Sequence, residues 1–170
     1  MRNRGCMSAG TIGIALLVIA AILFFWGKNG YNSFTTKEQN VNTKWSNVET
    51  VYQKRANLIP NLERTVKSYS QFEQETLTKV IEARSKATSM TIDPTNMTEA
   101  DMAKFQAAQG ELSGALSRLM AVVEQYPNLK ADQQYMNFQR EYTAIENSIR
   151  SETVYYNEAA QDYNTSIKTF

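Results

Sequence analysis

The chain of 170 residues contains no histidine and a single cysteine, Cys6. Those scarcities remove most of the chemistry a small domain could perform. A serine or cysteine nucleophile needs a base within hydrogen-bond reach, usually histidine, and zinc needs His or Cys ligands. Without a pair of cysteines the fold cannot use disulfides and must be held by its apolar core. Neither G-x-x-x-x-G-K-[ST] nor G-x-G-x-x-G occurs, so nucleotide binding has no sequence support. The sequence therefore reads as a non-enzyme, with no catalytic residue, metal ligand or cofactor expected. An excess of one charge is also lacking: 18 Lys and Arg stand against 17 Asp and Glu. With no run of like charge, neither nucleic acid nor an anionic lipid patch is an expected partner. Runs of β-branched residues with alternating polarity are missing as well, so no sheet is expected.

What is present begins with an apolar stretch. From Gly5 to Gly27 no residue is charged, and Met7–Trp26 is apolar or small throughout. As a helix rising ~1.5 Å per residue, that stretch reaches ~30 Å, the thickness of a bilayer's hydrocarbon core. A cleaved signal peptide would end in small residues. This run ends in Leu23-Phe24-Phe25-Trp26-Gly27-Lys28, whose aromatics suit an interfacial belt, so the reading is a retained anchor. Cys6 precedes the run, whereas a lipoprotein cysteine would follow it; an idle residue is favoured over palmitoylation. Arg2 and Arg4 outweigh Lys28 near the span, which places the amino terminus in the cytoplasm and the rest outside it. The organisation is then a cytoplasmic segment at 1–6, an anchor at 7–26, a juxtamembrane linker or helix extension at 27–36, and a helical domain at 37–170.

Three prolines, Pro60, Pro94 and Pro127, divide the remainder almost evenly. Val41, Trp45, Val48 and Tyr52 have helical spacing within Tyr31–Arg55, and Leu62, Val66, Tyr69, Thr76, Val80, Ala83 and Ala87 do so within Leu62–Ala87. Between these segments Asn57-Leu58-Ile59-Pro60 reads as a break or sharp bend, because proline disfavours helix for the residue before it and suits a helix's first turn. A continuous helix kinked at Pro60 is the alternative. Thr88–Thr98 has the composition of a connection, and Thr98-Glu99-Ala100-Asp101 is a predicted helix start. Phe105, Gln109, Leu112, Leu116, Leu119, Val123 and Tyr126 then follow a four-three repeat. After Pro127-Asn128-Leu129-Lys130, the same rhythm continues from Tyr135 through Phe138, Tyr142, Ile145, Ile149, Tyr156, Ala159, Tyr163 and Ile167. The predicted fold is all-α, an antiparallel up-and-down four-helix bundle behind one transmembrane helix.

Some residues interrupt the apolar pattern. Arg55, Glu73 and Glu152 fall on or beside the inward rhythm and need partners if buried. A buried ion pair or water-filled polar layer is the leading reading, with exposure and a ligand or metal site between helices as alternatives. Tyr155, Tyr156 and Tyr163 read as core or core-edge aromatics in preference to a binding groove. With Leu112 at the centre of the third helix's core face, Ala103, Ala107, Gly110, Gly114, Ser117 and Ala121 fall on the opposite side at ~100° per residue. This ridge of small residues is either incidental or a contact face for another protomer or partner.

Lys54-Arg55-Ala56-Asn57-Leu58-Ile59-Pro60-Asn61-Leu62, Val66-Lys67-Ser68-Tyr69, Ala83-Arg84, Tyr126-Pro127-Asn128-Leu129-Lys130-Ala131, Glu146-Asn147 and Tyr156-Asn157-Glu158-Ala159 together resemble the LemA family of bacterial membrane proteins. The resemblance covers about Tyr31 to Phe170. It implies an amino-terminal anchor, an antiparallel four-helix bundle and no established enzymatic activity. The family often has a histidine before the glutamate of the second helix, where this chain has Phe72-Glu73, and basic residues where it has Thr153-Val154-Tyr155. Two functions compete on these grounds. One is a structural or interaction scaffold at the membrane, working as a homo-oligomer or with an envelope protein. The other is a binding module for a peptide, lipid or envelope polymer.

Overall fold

The computed structural model describes residues 9–90, 92 and 97–169. Arg2, Arg4, Cys6 and Pro94 lie outside the described residues. Among those described there is helix and no strand: α1 (Ala9–Lys67), α2 (Gln74–Ser89), α3 (Glu99–Val123), a single turn α4 (Pro127–Lys130) and α5 (Gln133–Thr169). The chain forms two compact units. One takes residues up to Val41 and from Ala159 onward, the other Asn42–Glu158, and both α1 and α5 contribute to each.

In the first unit, the large apolar side chains from Ile14 to Trp26 are all more than half exposed. Only Ala15, Ala20 and Ala21 come between them, so the helix is apolar on every face. A helix surface of that kind is stable against lipid or inside a large core, and no core covers it here. By length and composition α1 can cross a membrane. The helix continues without interruption through residues 27–36. Farther along, Lys37 Nζ donates to Asp162 Oδ1 at 2.9 Å and to Ser166 Oγ at 2.6 Å, tying α1 to α5.

The core of the second unit joins Ile59, Leu62 and Val66 of α1 with Leu77, Val80 and Ala83 of α2, Leu112, Leu116, Leu119 and Val123 of α3, Leu129 of α4, and Tyr135, Phe138 and Tyr142 of α5. The three- and four-residue steps put each set on one side of its helix. A smaller cluster gathers Trp45, Val48, Ile92 and Phe105. Its rings meet edge-on, with Trp45 5.4 Å from Phe105 and 5.2 Å from Tyr156, the offset geometry that aromatic quadrupoles favour.

The structure corrects the expected break at Pro60. Helix α1 runs through the proline to Lys67, so Leu62 and Val66 belong to α1, and the next helix begins at Gln74. A proline inside a helix lacks the N–H that would bond the carbonyl four residues earlier. That carbonyl is Ala56 O, on a buried residue, and Arg84 Nε of α2 donates to it at 3.0 Å. Burial of Ile59 and Leu62 on either side, ~1.5–3 kcal/mol each, holds the helix together against a proline penalty of ~3 kcal/mol. The chain turns instead at residues 68–73. There Ser68 N bonds Thr65 O at 3.2 Å, Tyr69 N bonds Val66 O at 3.0 Å, and the buried Phe72 fastens the turn to the core.

The starts of α3 and α5 have side-chain caps. Thr98 and Asp101 form a capping box, Asp101 N donating to Thr98 Oγ1 at 3.1 Å and Thr98 N to Asp101 Oδ2 at 3.3 Å, which satisfies amides that α3 leaves free. Asp132 Oδ1 accepts from Gln134 N at 2.8 Å and Tyr135 N at 3.2 Å at the start of α5.

Candidate functional site

The Asn42–Glu158 unit has one buried charged centre among its described residues. Arg55 lies one turn before Ile59 on the inward side of α1 and is 2% exposed. Its Nη1 donates to Glu146 Oε1 of α5 at 2.9 Å. Its Nη2 donates to Gln109 of α3, to the side-chain oxygen at 2.6 Å and to the backbone oxygen at 3.0 Å. Gln109 Nε2 in turn donates to Ala87 O at the end of α2, at 3.3 Å. Tyr52 presents its ring 5.0 Å from the guanidinium. One guanidinium thus links α1, α2, α3 and α5, while its Nε is buried without a hydrogen-bond partner.

Burial raises the Tyr52 hydroxyl above its ordinary pKa, with Arg55 acting in the opposite direction. Tyr142 is raised by burial too, Ser113 opposing and Glu146 reinforcing the shift. Beside this node is a cavity of about 60 Å³ lined by Tyr52, Ala56, Phe105 and Gln109 among others, polar and roomy enough for ordered water. The arrangement fixes the relative rotation of helices. It aligns no nucleophile with a base, and among the described residues no cluster of three or more His, Cys, Asp or Glu could hold a metal ion.

The three charged residues expected in a buried layer separate. Arg55 is central. Glu73 is exposed at the N-cap of α2, where its side chain caps nothing. The cause is the 68–73 turn, which uses Phe72 as its buried residue and leaves Glu73 outside. Glu152 is half-buried, and its Oε2 has no partner. The actual partners, Gln109 and Glu146, carried only faint signals: a glutamine on the core stripe of α3, and a glutamate one turn beyond Tyr142 on α5.

Of the motif residues, Ile59, Leu62 and Leu129 are buried, Leu58, Pro60, Tyr126 and Tyr156 half-buried, and Asn57, Asn61, Pro127, Lys130 and Asn157 exposed. Tyr69 joins the two turns they flank, its hydroxyl donating to Asp132 Oδ2 at 3.0 Å and lying 3.3 Å from Asn128 O. Burial pushes the Asp132 carboxyl up, but the amides of Tyr135 and Gln134 and the Tyr69 hydroxyl outweigh it and leave the pKa below the ordinary value. On α3, Ala103, Ala107, Gly110, Gly114, Ser117 and Ala121 are exposed, and a Cβ added at Gly110 or Gly114 would meet nothing within 4 Å.

An all-helical chain with an uncovered apolar helix at its start, and a polar node linking helices in its interior, defines a class of helical protein fitted for a membrane. The profile of the LemA family matches residues 44–170, and the chain belongs to that family. It is 27% identical to protein LemA of Metamycoplasma hominis, an alignment covering 92% of this chain and 68% of that one. It is also 27% identical to magnetosome protein MamQ 2 of Paramagnetospirillum magneticum, over 97% of this chain and 66% of the relative. Against magnetosome protein MamQ of Magnetospirillum gryphiswaldense the identity is 26%, over 81% and 57%. The chain thus spans about two thirds or less of the length of these relatives.

Proposed function

We propose that the protein is a single-pass membrane protein of the bacterial envelope, with its amino terminus in the cytoplasm. Residues 37–170 form an antiparallel four-helix bundle outside the membrane that acts as an interaction scaffold, through its own copies or an envelope protein. The observation that carries this reading is the apolar surface from Ile14 to Trp26, uncovered on all sides, on the same helix that supplies Arg55 and Ile59 to a packed interior. The absence of histidine from the sequence further favours holding over converting.

Two measurements test it. Protease added to spheroplasts should digest the domain while untreated protein stays in the membrane pellet; protection of the domain overturns the orientation. Chemical crosslinking in native membranes should give oligomers or a defined heteromer. Changing Gly110 and Gly114 together to Glu places side chains in open space, so the monomer stays folded. Loss of crosslinks then assigns the contact to α3, and complete absence of crosslinks in the unaltered protein overturns the scaffold.

A further inference from the structure

Two turns about sixty residues apart in the chain meet at the end of the Asn42–Glu158 unit where α1 stops. Between the 68–73 turn and the segment around α4 lies a groove of about 380 Å³, within the ~300–1,000 Å³ typical of small-molecule sites. Tyr69, Ser70 and Gln71 line it from one side and Gln125, Tyr126 and Asn128 from the other; no lining residue is charged. Of the charged residues that directly flank the lining segments in sequence, Lys130 pairs with Glu124 and Lys67 with Glu63.

The two rings are held in place. Tyr69 is tethered through its hydroxyl to Asp132, and Tyr126 rests on the buried Phe72 with ring centroids 5.1 Å apart. The polar groups around them are uncommitted: among the described residues, the side chains of Ser70, Gln71, Gln125 and Asn128 and the Tyr126 hydroxyl make no hydrogen bond to the protein.

We propose that this groove binds a neutral saccharide of the cell envelope. Phosphate or carboxylate ligands are recognised by charged donors, and none lines the groove. A lipid chain needs a mostly apolar lining, whereas hydroxyls and amides dominate this one. Peptides that add a strand to a sheet edge or lay a helix in an apolar groove find neither feature among the described residues, and an extended proline-rich peptide, which docks on aromatic rings, is set against the saccharide in the test below. A sugar ring offers what the lining complements, hydroxyl and amide groups at its rim and a C–H face that packs against fixed aromatic rings. Encountering an envelope glycan rests on the domain lying outside the cytoplasmic membrane, as proposed above; binding itself does not.

The test uses the full chain in lipid nanodiscs, with chitotriose, a neutral N-acetylglucosamine trimer, as probe, and polyphosphate and a neutral proline-rich peptide as controls. Isothermal titration or ligand-observed NMR should show saturable binding of chitotriose alone, with Kd near ~1 mM or tighter. Gln71→Ala with Gln125→Ala should weaken it about tenfold without changing the thermal unfolding midpoint, while Glu73→Gln, a substitution outside the lining, leaves it unchanged. No saturation by ~10 mM probe, equal binding by the double variant, or a preference for either control overturns the site. Saccharide binding by a protein whose domain is protected in spheroplasts would overturn the topology and leave the groove standing.

Discussion

Arg55 and Glu146 are unequal partners. The guanidinium side chain is 3% exposed and the carboxylate side chain 29%, so removing either leaves a different residue behind. Glu146→Ala strands a positive charge in the interior and is expected to cost ~3–5 kcal/mol. Arg55→Met fills the space with an apolar chain, lets Glu146 hydrate and leaves mainly Gln109 short of a partner, for ~1–3 kcal/mol. Denaturant unfolding of both variants checks the order, and a more damaging Arg55→Met refutes it. Tyr135 supplies a pH-dependent counterpart. Burial, reinforced by Glu124 and opposed by Gln139, pushes its hydroxyl from 10.0 to about 12. Because the folded state holds this proton more tightly than the unfolded state, the contribution is full below pH 10 and lost as pH rises from 10 toward about 12. Tyr135→Phe should therefore flatten the fall in stability across that window, as measured by denaturant midpoints at successive alkaline pH values; an unchanged slope would show that other tyrosines dominate. The inward placement of Arg55 was legible because it continues the spacing of Val48, Tyr52 and Ile59. Its partners were not, because which side chain from α3 or α5 reaches it depends on helix rotations that no single helix encodes.

At the scale of elements, periodicity predicted helices and their buried sides, and proline misled about one boundary. Pro60 has the sequence signature of a helix start, but the decisive facts lie elsewhere in the chain: Arg84 caps the carbonyl that the proline leaves free, and Phe72 provides the anchor for a turn made without proline or glycine. A local pattern cannot report a donor from another helix. The arrangement predicts a coupling measurable by a double-mutant cycle. In the unaltered protein, Arg84→Met orphans the buried Ala56 oxygen and should cost ~1–3 kcal/mol. In a Pro60→Ala background the restored amide at position 60 can serve that oxygen, so the same change should cost at least ~1 kcal/mol less. Equal costs in the two backgrounds would mean that the Arg84 contact is incidental. The groove between the 68–73 turn and α4 was illegible for the same reason as the Pro60 cap. Its two halves are ordinary polar turns in sequence and become a site only when the helices that carry them pack.

For the whole molecule, the question is whether the apolar start of α1 contributes to folding or only to location. The two buried clusters of the Asn42–Glu158 unit draw on no described residue before Trp45, and the large apolar residues from Ile14 to Trp26 are exposed. Burial is the main stabilising term available to a chain without disulfides, so a segment that buries nothing contributes little to it. Deleting residues 1–28 keeps Lys37, Asp162 and the whole second unit, and removes the exposed apolar surface that would drive aggregation in water. The truncated protein should accumulate in the soluble fraction, retain a helical circular dichroism spectrum and unfold in one cooperative transition. The full chain should pellet with membranes and resist carbonate extraction. A truncated protein that is soluble but unfolds without cooperativity, binding a hydrophobic dye before heating, would show that packing in the helical domain requires the membrane segment. Clean cooperative unfolding would show that the same long helix can serve two solvents, with its first part selected by lipid and its later part by the interior it helps to build.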